Sequence, residues 1–287
     1  MSEALDSLIE LLDLEFIEDD VYRGGHPENA RNRAFGGQVI AQALMAAGRT
    51  VESGRVHSLH SYFLRPGDPS TPILFRVDRI RDGRSFTTRR VVALQLGEAI
   101  FSMQASFHVD EVSVEHQIDM PDVPGPETVP PMAPVPLDNP NLGDFLLRRR
   151  PIDIRYLDGA PNLTDRPRVP REPRRQIWMR ADGELSDDQL LHDCIVAYAS
   201  DMGLVEIMMR PHSASWYDGS FMVASLDHCM WFHRPIRADE WLLYDAESPV
   251  TCGGRGLARG FIFTQDGQLQ ASIAQEGLTR LVAKETP

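Results

Sequence analysis

The sequence is poor in cysteine and has no long apolar run. Only three of its 287 residues are cysteines, at positions 194, 229 and 252, and none of them has the CxxC spacing. An odd and scattered set of this kind does not make a disulfide framework and indicates a reducing compartment. No window approaches the roughly 18 apolar residues that a membrane span requires, so no membrane partner is expected.

The chain also has fewer basic than acidic side chains. The chain has 29 Lys and Arg against 42 Asp and Glu, which gives a net charge of −13. Because nucleic-acid binding depends on cations that neutralise phosphates, no nucleic-acid partner is expected. An anionic small ligand is still compatible, since a site can be locally positive. The start, MSEALDSLIELLDLEF, has no basic flank and is typical of an amphipathic helix rather than a signal peptide, so we expect a cytoplasmic location.

What the sequence does contain is a repeat. The segment HSYFLRPGD reappears about 170 residues later as HCMWFHRPIRADE, which places Arg65 on Arg234 at an offset of 169. Further along, Gly97 aligns with Gly267 at an offset of 170. A nearly constant offset indicates two related structural units that bury a face against each other.

Hydrophobic periodicity predicts the same α+β content for both units. In the first unit, 35–47 is predicted to form a helix and 56–109 a set of strands joined by hairpins. In the second unit, 187–209 is predicted to be one long helix, and four strands follow between 221 and 280. Each unit is therefore expected to be a helix packed on an antiparallel sheet.

A proline-rich segment separates the two units. Eight of the twenty residues at 121–140 are prolines, which excludes a helix interior or a central strand there. We therefore divide the chain into a first unit at 1–115, a linker and irregular connector at 116–175, and a second unit at 176–287 that contains the candidate site.

Two polar residues lie where the periodicity requires apolar ones. Asp201 falls within the inward stripe of the predicted 187–209 helix, and Gln275 follows three apolar residues, spaced by two, on one face of the last strand. Burying these groups is unfavourable unless they are hydrogen-bonded. A structural pair that ties helix to sheet is one explanation. Because the first unit has Ala105 at the position of Gln275, we favour a functional site.

Other motifs do not support a site. The segment GRSFT lacks the final glycine of a nucleophile elbow, and GGRGLARG has Arg259 where a dinucleotide loop requires glycine. His228 and His233 are five apart on a strand and point to opposite faces, so they do not share a metal ion. His228, beside two aromatic residues, is interpreted as a histidine at the edge of the core. Neither a metal nor a cofactor is expected.

Six segments together resemble the type II acyl-CoA thioesterases, the TesB-like proteins. They are FGGQVIAQAL, HSLHSYFLRPGD, RDGRSFTTRRV, LDHCMWFHRP, DEWLLY and ASIAQEGLTR. The resemblance extends from the first helix to about Arg280 and is poorest in the proline-rich linker. It implies a double hotdog fold in one chain, hydrolysis of fatty acyl-CoA to free acid and CoA, and assembly into a homo-oligomer.

The resemblance also implies a catalytic set. The family's Asp and Gln correspond to Asp201 and Gln275, and the position of its Thr is occupied by Ser225, which keeps the hydroxyl but loses the methyl that stiffens χ1. In this interpretation Asp201 is the general base on a water molecule that Ser225 and Gln275 hold. Backbone N–H groups of Gly36 and Gly37, at a predicted helix start, are candidate oxyanion donors.

Two alternative functions are considered. Hotdog hydratases and dehydratases have a His five residues after an Asp, whereas Asp201 is followed by Met-Gly-Leu-Val-Glu. A non-catalytic acyl-CoA binding or regulatory module would account for the change to Ser225. The presence of both Asp201 and Gln275 argues against that module.

Overall fold

The fold is one antiparallel sheet with helices packed against it. A computed structural model describes residues 2–27, 33–131, 150–159, 170–212 and 221–282. Within these ranges the sheet has thirteen strands, and every strand pair is antiparallel.

The first unit consists of a peripheral helix and hairpin, a central helix and four longer strands. In chain order the elements are α1 (Glu3–Leu12), β1 (Glu15–Glu18), β2 (Val21–Gly24), α2 (Gly36–Gly48), β3 (Arg55–Phe63), β4 (Ile73–Asp82), β5 (Phe86–Gln95) and β6 (Glu98–His108). A short 3₁₀ turn, Pro126–Thr128, follows within the proline-rich segment.

The second unit repeats this order with an interrupted helix. Its elements are β7 (Ile152–Tyr156), β8 (Arg174–Ala181), α3 (Gln189–Ser200), α4 (Leu204–Met209), β9 (Phe221–Ser225), β10 (Asp227–Phe232), β11 (Leu242–Cys252), β12 (Arg255–Thr264) and β13 (Leu269–Leu281).

The strand order shows the duplication directly. Across the sheet it is β1-β2-β4-β5-β6-β3-β10-β13-β12-β11-β8-β7, with β9 paired to β13. The two halves mirror each other and join through β3 and β10, where Leu59 lies opposite Met230. Helices α2 and α3 contact each other, and both contact β3, so they lie on the same side of the sheet. The sheets of the two units therefore join edge to edge into one continuous sheet.

The repeated Arg-Pro segments make equivalent contacts. Arg65 Nη1 donates to the carbonyl of Ala99 at 2.7 Å, and Arg234 Nη1 donates to the carbonyl of Leu269 at 2.8 Å. Arg65 follows β3 and Arg234 follows the equivalent strand β10, and each reaches the start of the last strand of its unit. The sequence repeat therefore corresponds to a structural repeat.

The connector contains a strand that the sequence analysis did not predict. Strand β7 lies within 116–175, and β8 begins at Arg174, before the predicted boundary at 176. Together they form a hairpin that extends the sheet beyond β11, as the β1–β2 hairpin extends it beyond β4. Residues 132–149 and 160–169 of the predicted connector lie outside the described residues.

The prediction of one continuous helix at 187–209 was wrong. The helix ends at Ser200, Asp201 caps it, and α4 begins three residues later at Leu204. Gly203, between them, has a φ of 97°, a left-handed conformation that glycine adopts without a steric penalty. The break matters because it places Asp201 at a helix end instead of on a helix face.

Helix α2 forms the centre of the core. All its residues from Gly37 to Ala47 are buried, and many of them are small. Small residues allow a close approach to α3: a Cβ atom added to Gly48 would lie 2.5 Å from the side chain of Leu190. In the described ranges no helix is long and apolar enough to cross a membrane. All three cysteines are free: Cys194 is buried, Cys229 is half-buried and Cys252 is exposed.

Candidate active site

Asp201 lies where the two units meet. It caps the C-terminus of α3 in the second unit and faces the N-terminus of α2 in the first, where its carboxylate lies against Gly36 and the N–H of Gly37 lowers the pKa of its carboxyl. The first N–H groups of a helix have no partner within the helix, and the positive end of the helix dipole favours a negative charge. Both units therefore contribute to the site.

The structure brings the three predicted side chains together. Ser225 Oγ donates to Asp201 Oδ1 at 3.3 Å, and Gln275 Nε2 donates to Ser225 Oγ at 3.0 Å. Ser225 therefore lies between the Gln275 amide and the Asp201 carboxylate. The register explains the meeting of Ser225 and Gln275, because Ser225 lies opposite Gly277, two residues beyond Gln275 on β13.

Burial changes the acidity of Asp201. Loss of solvent raises the pKa of this carboxyl to about 6, although hydrogen bonds from Gln275, Gly37 and Ser225 and the charge of Arg33 act in the opposite direction. The group is therefore largely ionised at neutral pH and more basic than an exposed aspartate. Both properties suit a general base that works near neutral pH.

The start of α2 packs closely against Asp201 and the end of α3. The N–H of Gly37 lowers the pKa of the Asp201 carboxyl. A Cβ atom on Gly37 would lie 2.4 Å from the carbonyl oxygen of Tyr198, which explains why a glycine is required there. Gly36 and Gly37 both stay candidate oxyanion donors.

One residue of the site was missed by the sequence analysis. His228, interpreted there as a histidine at the edge of the core, is fully buried. Its Nδ1 lies 2.5 Å from Gln275 Oε1, and its Nε2 lies 2.9 Å from Ser200 Oγ. It alternates with Met230 and Phe232 on the buried face of β10. The same period-two argument that selected Gln275 would have selected His228.

The converging side chains are of types that can perform acid–base chemistry. Among the described residues, no group of three or more His, Cys, Asp and Glu side chains is placed to hold a metal ion. One carboxylate, one hydroxyl and one amide converge, and no thiol or lysine belongs to the set. This arrangement can orient a water molecule and remove its proton.

Comparisons with known proteins agree on one family. A family model described as acyl-CoA thioesterase matches residues 168–278, and one described as acyl-CoA thioesterase N-terminal domain matches residues 26–108. Acyl-coenzyme A thioesterase 8 of Mus musculus is 42% identical, over 94% of this chain and 88% of the relative. Acyl-CoA thioesterase 2 of Haemophilus influenzae is 39% identical, over 98% of this chain and 99% of the relative.

Solved structures agree with the fold. Acyl-CoA thioesterase II TesB2 from Mycobacterium marinum superposes with a TM-score of 0.79 at 43% identity, covering 98% of this chain and 100% of that chain. A hot dog fold protein of unknown function from Alicyclobacillus acidocaldarius superposes with a TM-score of 0.78 at 22% identity, over 99% and 100% of the two chains, which shows the fold alone. The predicted double hotdog fold is confirmed.

Proposed function

The chain belongs to the acyl-CoA thioesterase family, and from that premise we propose that it hydrolyses fatty acyl-CoA thioesters with Asp201 as the general base. The observation that supports this assignment is the convergence of Asp201, Ser225 and Gln275 at the N-terminus of α2. A buried carboxylate that accepts a hydrogen bond from Ser225 and has its pKa raised to about 6 is oriented and basic, which are the two requirements for removing a proton from water.

The proposed reaction needs no enzyme nucleophile. A water molecule held by Ser225 and Gln275 gives a proton to Asp201, and its oxygen attacks the thioester carbonyl carbon. The tetrahedral intermediate then collapses and the carbon–sulfur bond breaks. The proton on Asp201 passes to the departing CoA sulfur, so the products are a carboxylic acid and the CoA thiol.

The negative charge on the intermediate requires a hydrogen-bond donor. We assign this role to the N–H of Gly36, at the first position of α2, whereas the N–H of Gly37 stabilises the charged form of Asp201. A helix N-terminus adds a favourable potential for an oxyanion. The dipole of α2 would then stabilise both the base and the intermediate.

Aromatic side chains next to the site offer an apolar surface for the acyl group. Phe35 and Tyr198 are in edge-to-face contact at 5.1 Å between ring centroids, and Phe63 lies against Gly36. All three are partly buried at the edge of the core. We propose that the carbon atoms next to the thioester pack against this surface, which would also keep bulk water from the carbonyl.

The substitution Asp201→Asn tests the proposal. It preserves the shape of the side chain and removes its basicity, so the turnover number should fall by about 10²- to 10⁴-fold. Steady-state hydrolysis of short-, medium- and long-chain acyl-CoA, followed with a thiol reagent, gives the measurement.

Asp193→Asn is the matched control. Asp193 lies on the same helix and is equally buried, and burial raises the pKa of its carboxyl to about 7, but its side chain bonds to Gln189 outside the site. This variant should keep near-wild-type turnover. If the Asp201 variant also stayed within a few-fold of wild type, the base would have to be another group.

The same assay distinguishes an acyl-CoA hydrolase from the non-catalytic alternative. A binding or regulatory module would bind acyl-CoA and show no enzymatic release of thiol above the uncatalysed rate. The cytoplasmic location, the assembly into a homo-oligomer and the lack of a nucleic-acid partner stay predictions. Gel filtration with light scattering measures the oligomeric state directly.

A further inference from the structure

A chain of four hydrogen bonds extends from the site into the core. It runs from Asp201 through Ser225 and Gln275 to His228, and from there to Ser200 at the end of α3. The heavy-atom distances along it are 3.3, 3.0, 2.5 and 2.9 Å. Ser200 and Asp201 are neighbours in sequence, so this series of hydrogen bonds begins and ends at the C-terminus of α3.

The carboxylate fixes the direction of the first three bonds in this chain. An ionised Asp201 only accepts, so the hydroxyl of Ser225 must donate to it. The Ser225 oxygen then accepts from the NH₂ group of Gln275, which leaves the amide oxygen facing His228 Nδ1. Two acceptors at 2.5 Å would repel each other, so Nδ1 must bear a proton.

The second ring nitrogen of His228, Nε2, has no proton in this assignment. Burial lowers the pKa of His228 to about 4, so the imidazole is neutral at pH 7 and Nε2 has no proton. Nε2 then accepts from the Ser200 hydroxyl at 2.9 Å. The carbonyl of Ala197 is at the same distance from that hydroxyl and competes for its single proton. If the proton went to Ala197, the ring would adopt the other tautomer.

We propose that His228 is a positioning residue, which as the neutral Nδ1–H tautomer holds the Gln275 amide with its NH₂ group toward Ser225 and Asp201. A primary amide has nearly the same shape in both orientations, so packing alone does not choose between them. If the amide turned over, its oxygen would face Ser225 and take the hydroxyl proton from Asp201. The Asp201 carboxylate would lose the Ser225 donor, and the Gln275 N–H groups would no longer face the attacking water. This inference rests on the proposed role of Asp201.

Substitutions at His228 distinguish a role in positioning the Gln275 amide from a role in packing alone. His228→Leu keeps the volume approximately and removes the donor, so kcat should fall by about 10- to 100-fold, with KM changed less than threefold because CoA binding is untouched. In His228→Asn the side-chain NH₂ lies near the position of Nδ1 and can donate to Gln275. It should recover most of the lost kcat although it leaves a larger void.

His233→Leu is the matched control for these variants. His233 follows the same strand, is exposed, and its Nε2 lies 2.8 Å from Ser272 Oγ. Its replacement should leave kcat unchanged. A leucine variant of His228 with wild-type kcat, or an asparagine variant no better than the leucine variant, would overturn the proposal.

Nitrogen-15 NMR of histidine-labelled protein tests the tautomer without any activity measurement. The His228 signal, identified by its loss in the variants, should show a protonated Nδ1 and an unprotonated Nε2 at pH 7. Ser200→Ala should weaken this preference and lower kcat severalfold. If the substituted proteins fail to fold, the wild-type spectrum decides, because an Nε2–H tautomer contradicts the proposal. An active Asp201→Asn variant would instead refute the proposal that Asp201 is the general base. That result does not depend on which tautomer His228 adopts.

Discussion

Gly36 lies directly against Asp201, although the two residues belong to different units. A Cβ atom added to Gly36 would lie 2.7 Å from Oδ2 of Asp201 and 2.9 Å from the ring of Phe63. Real side chains do not tolerate such distances, so the Asp201 carboxylate keeps its position partly because the facing residue of α2 has no side chain. The duplication thus provides both the carboxylate and the space for it.

Gly36→Ala should therefore reduce activity more than it reduces stability. The added methyl group displaces the Asp201 carboxylate by a substantial fraction of an ångström, and a misplacement of about 1 Å can lower turnover by about 10²-fold. We expect a loss of this order in kcat and a destabilisation of about 1–3 kcal/mol from overpacking. Steady-state kinetics and denaturant unfolding give the two quantities.

Gly25→Ala is the control for that substitution. Gly25 is exposed, and an added Cβ atom would meet only Leu11, at 4.0 Å. This variant should match wild type in kcat. If both alanine variants were fully active, the contact between Gly36 and Asp201 would have no role in placing the base.

Hydrolysis should fall in acid as Asp201 takes up a proton. The pKa of this carboxyl is raised to about 6 by burial, and only the ionised form accepts a proton from water. A plot of kcat/KM from about pH 4.5 to about pH 8.5 should therefore rise with a midpoint near 6 and then level off. Ser225→Ala removes a donor to the carboxylate, so its midpoint should move to higher pH. A midpoint near 4 would mean that the base is an exposed group.

The same pKa shift should destabilise the native state at neutral pH. The native carboxyl binds a proton more tightly than in the unfolded chain, where the ordinary value is 3.8. Stability from this group is therefore greatest below pH 3.8 and falls as the pH rises to about 6. Asp201→Asn cannot titrate, so its unfolding free energy relative to wild type should increase by up to roughly 3 kcal/mol between about pH 4 and about pH 7. Parallel urea titrations of the two proteins measure this difference, and a constant offset would contradict it.

The sequence was informative where a pattern repeats over several residues. The near-constant offset between Arg65 and Arg234 predicted two units, because equivalent strands need equivalent turns. Periodicity selected Asp201 and Gln275, because a polar group on a buried face stands out from its neighbours. His228 satisfied the same test, and its inward position would have been found by applying the test to β10.

The remaining features depend on geometry that a local pattern does not contain. The contact between Gly37 and Asp201 spans the two units, and no spacing within one helix reports it. The break after α3 was signalled by Gly203, but a glycine inside an apolar stripe does not by itself show a left-handed conformation. Ser225 was found only through the family resemblance, since a serine at the end of a strand breaks no pattern.

The role of the Ser225 hydroxyl is tested by two substitutions, one that removes the hydroxyl and one that keeps it and adds a methyl group. Ser225→Ala removes the donor to Asp201 at 3.3 Å and the acceptor for Gln275 at 3.0 Å. The loss of a hydrogen bond to a charged group corresponds to about 1.5–3 kcal/mol, so kcat should fall by roughly 10- to 100-fold.

Ser225→Thr keeps the oxygen and adds a methyl group that restricts χ1, so its kcat should equal or exceed that of wild type. The reason is entropic: a hydroxyl that already points to Asp201 needs less ordering when the water binds. Both variants are compared on one acyl-CoA at saturating concentration, and thermal unfolding checks that their folds are intact. A fully active alanine variant would reduce the catalytic set to Asp201 and Gln275 and make Ser225 a structural residue of β9. A threonine variant that is folded but slow would show that the methyl group occupies space that the water or the thioester needs.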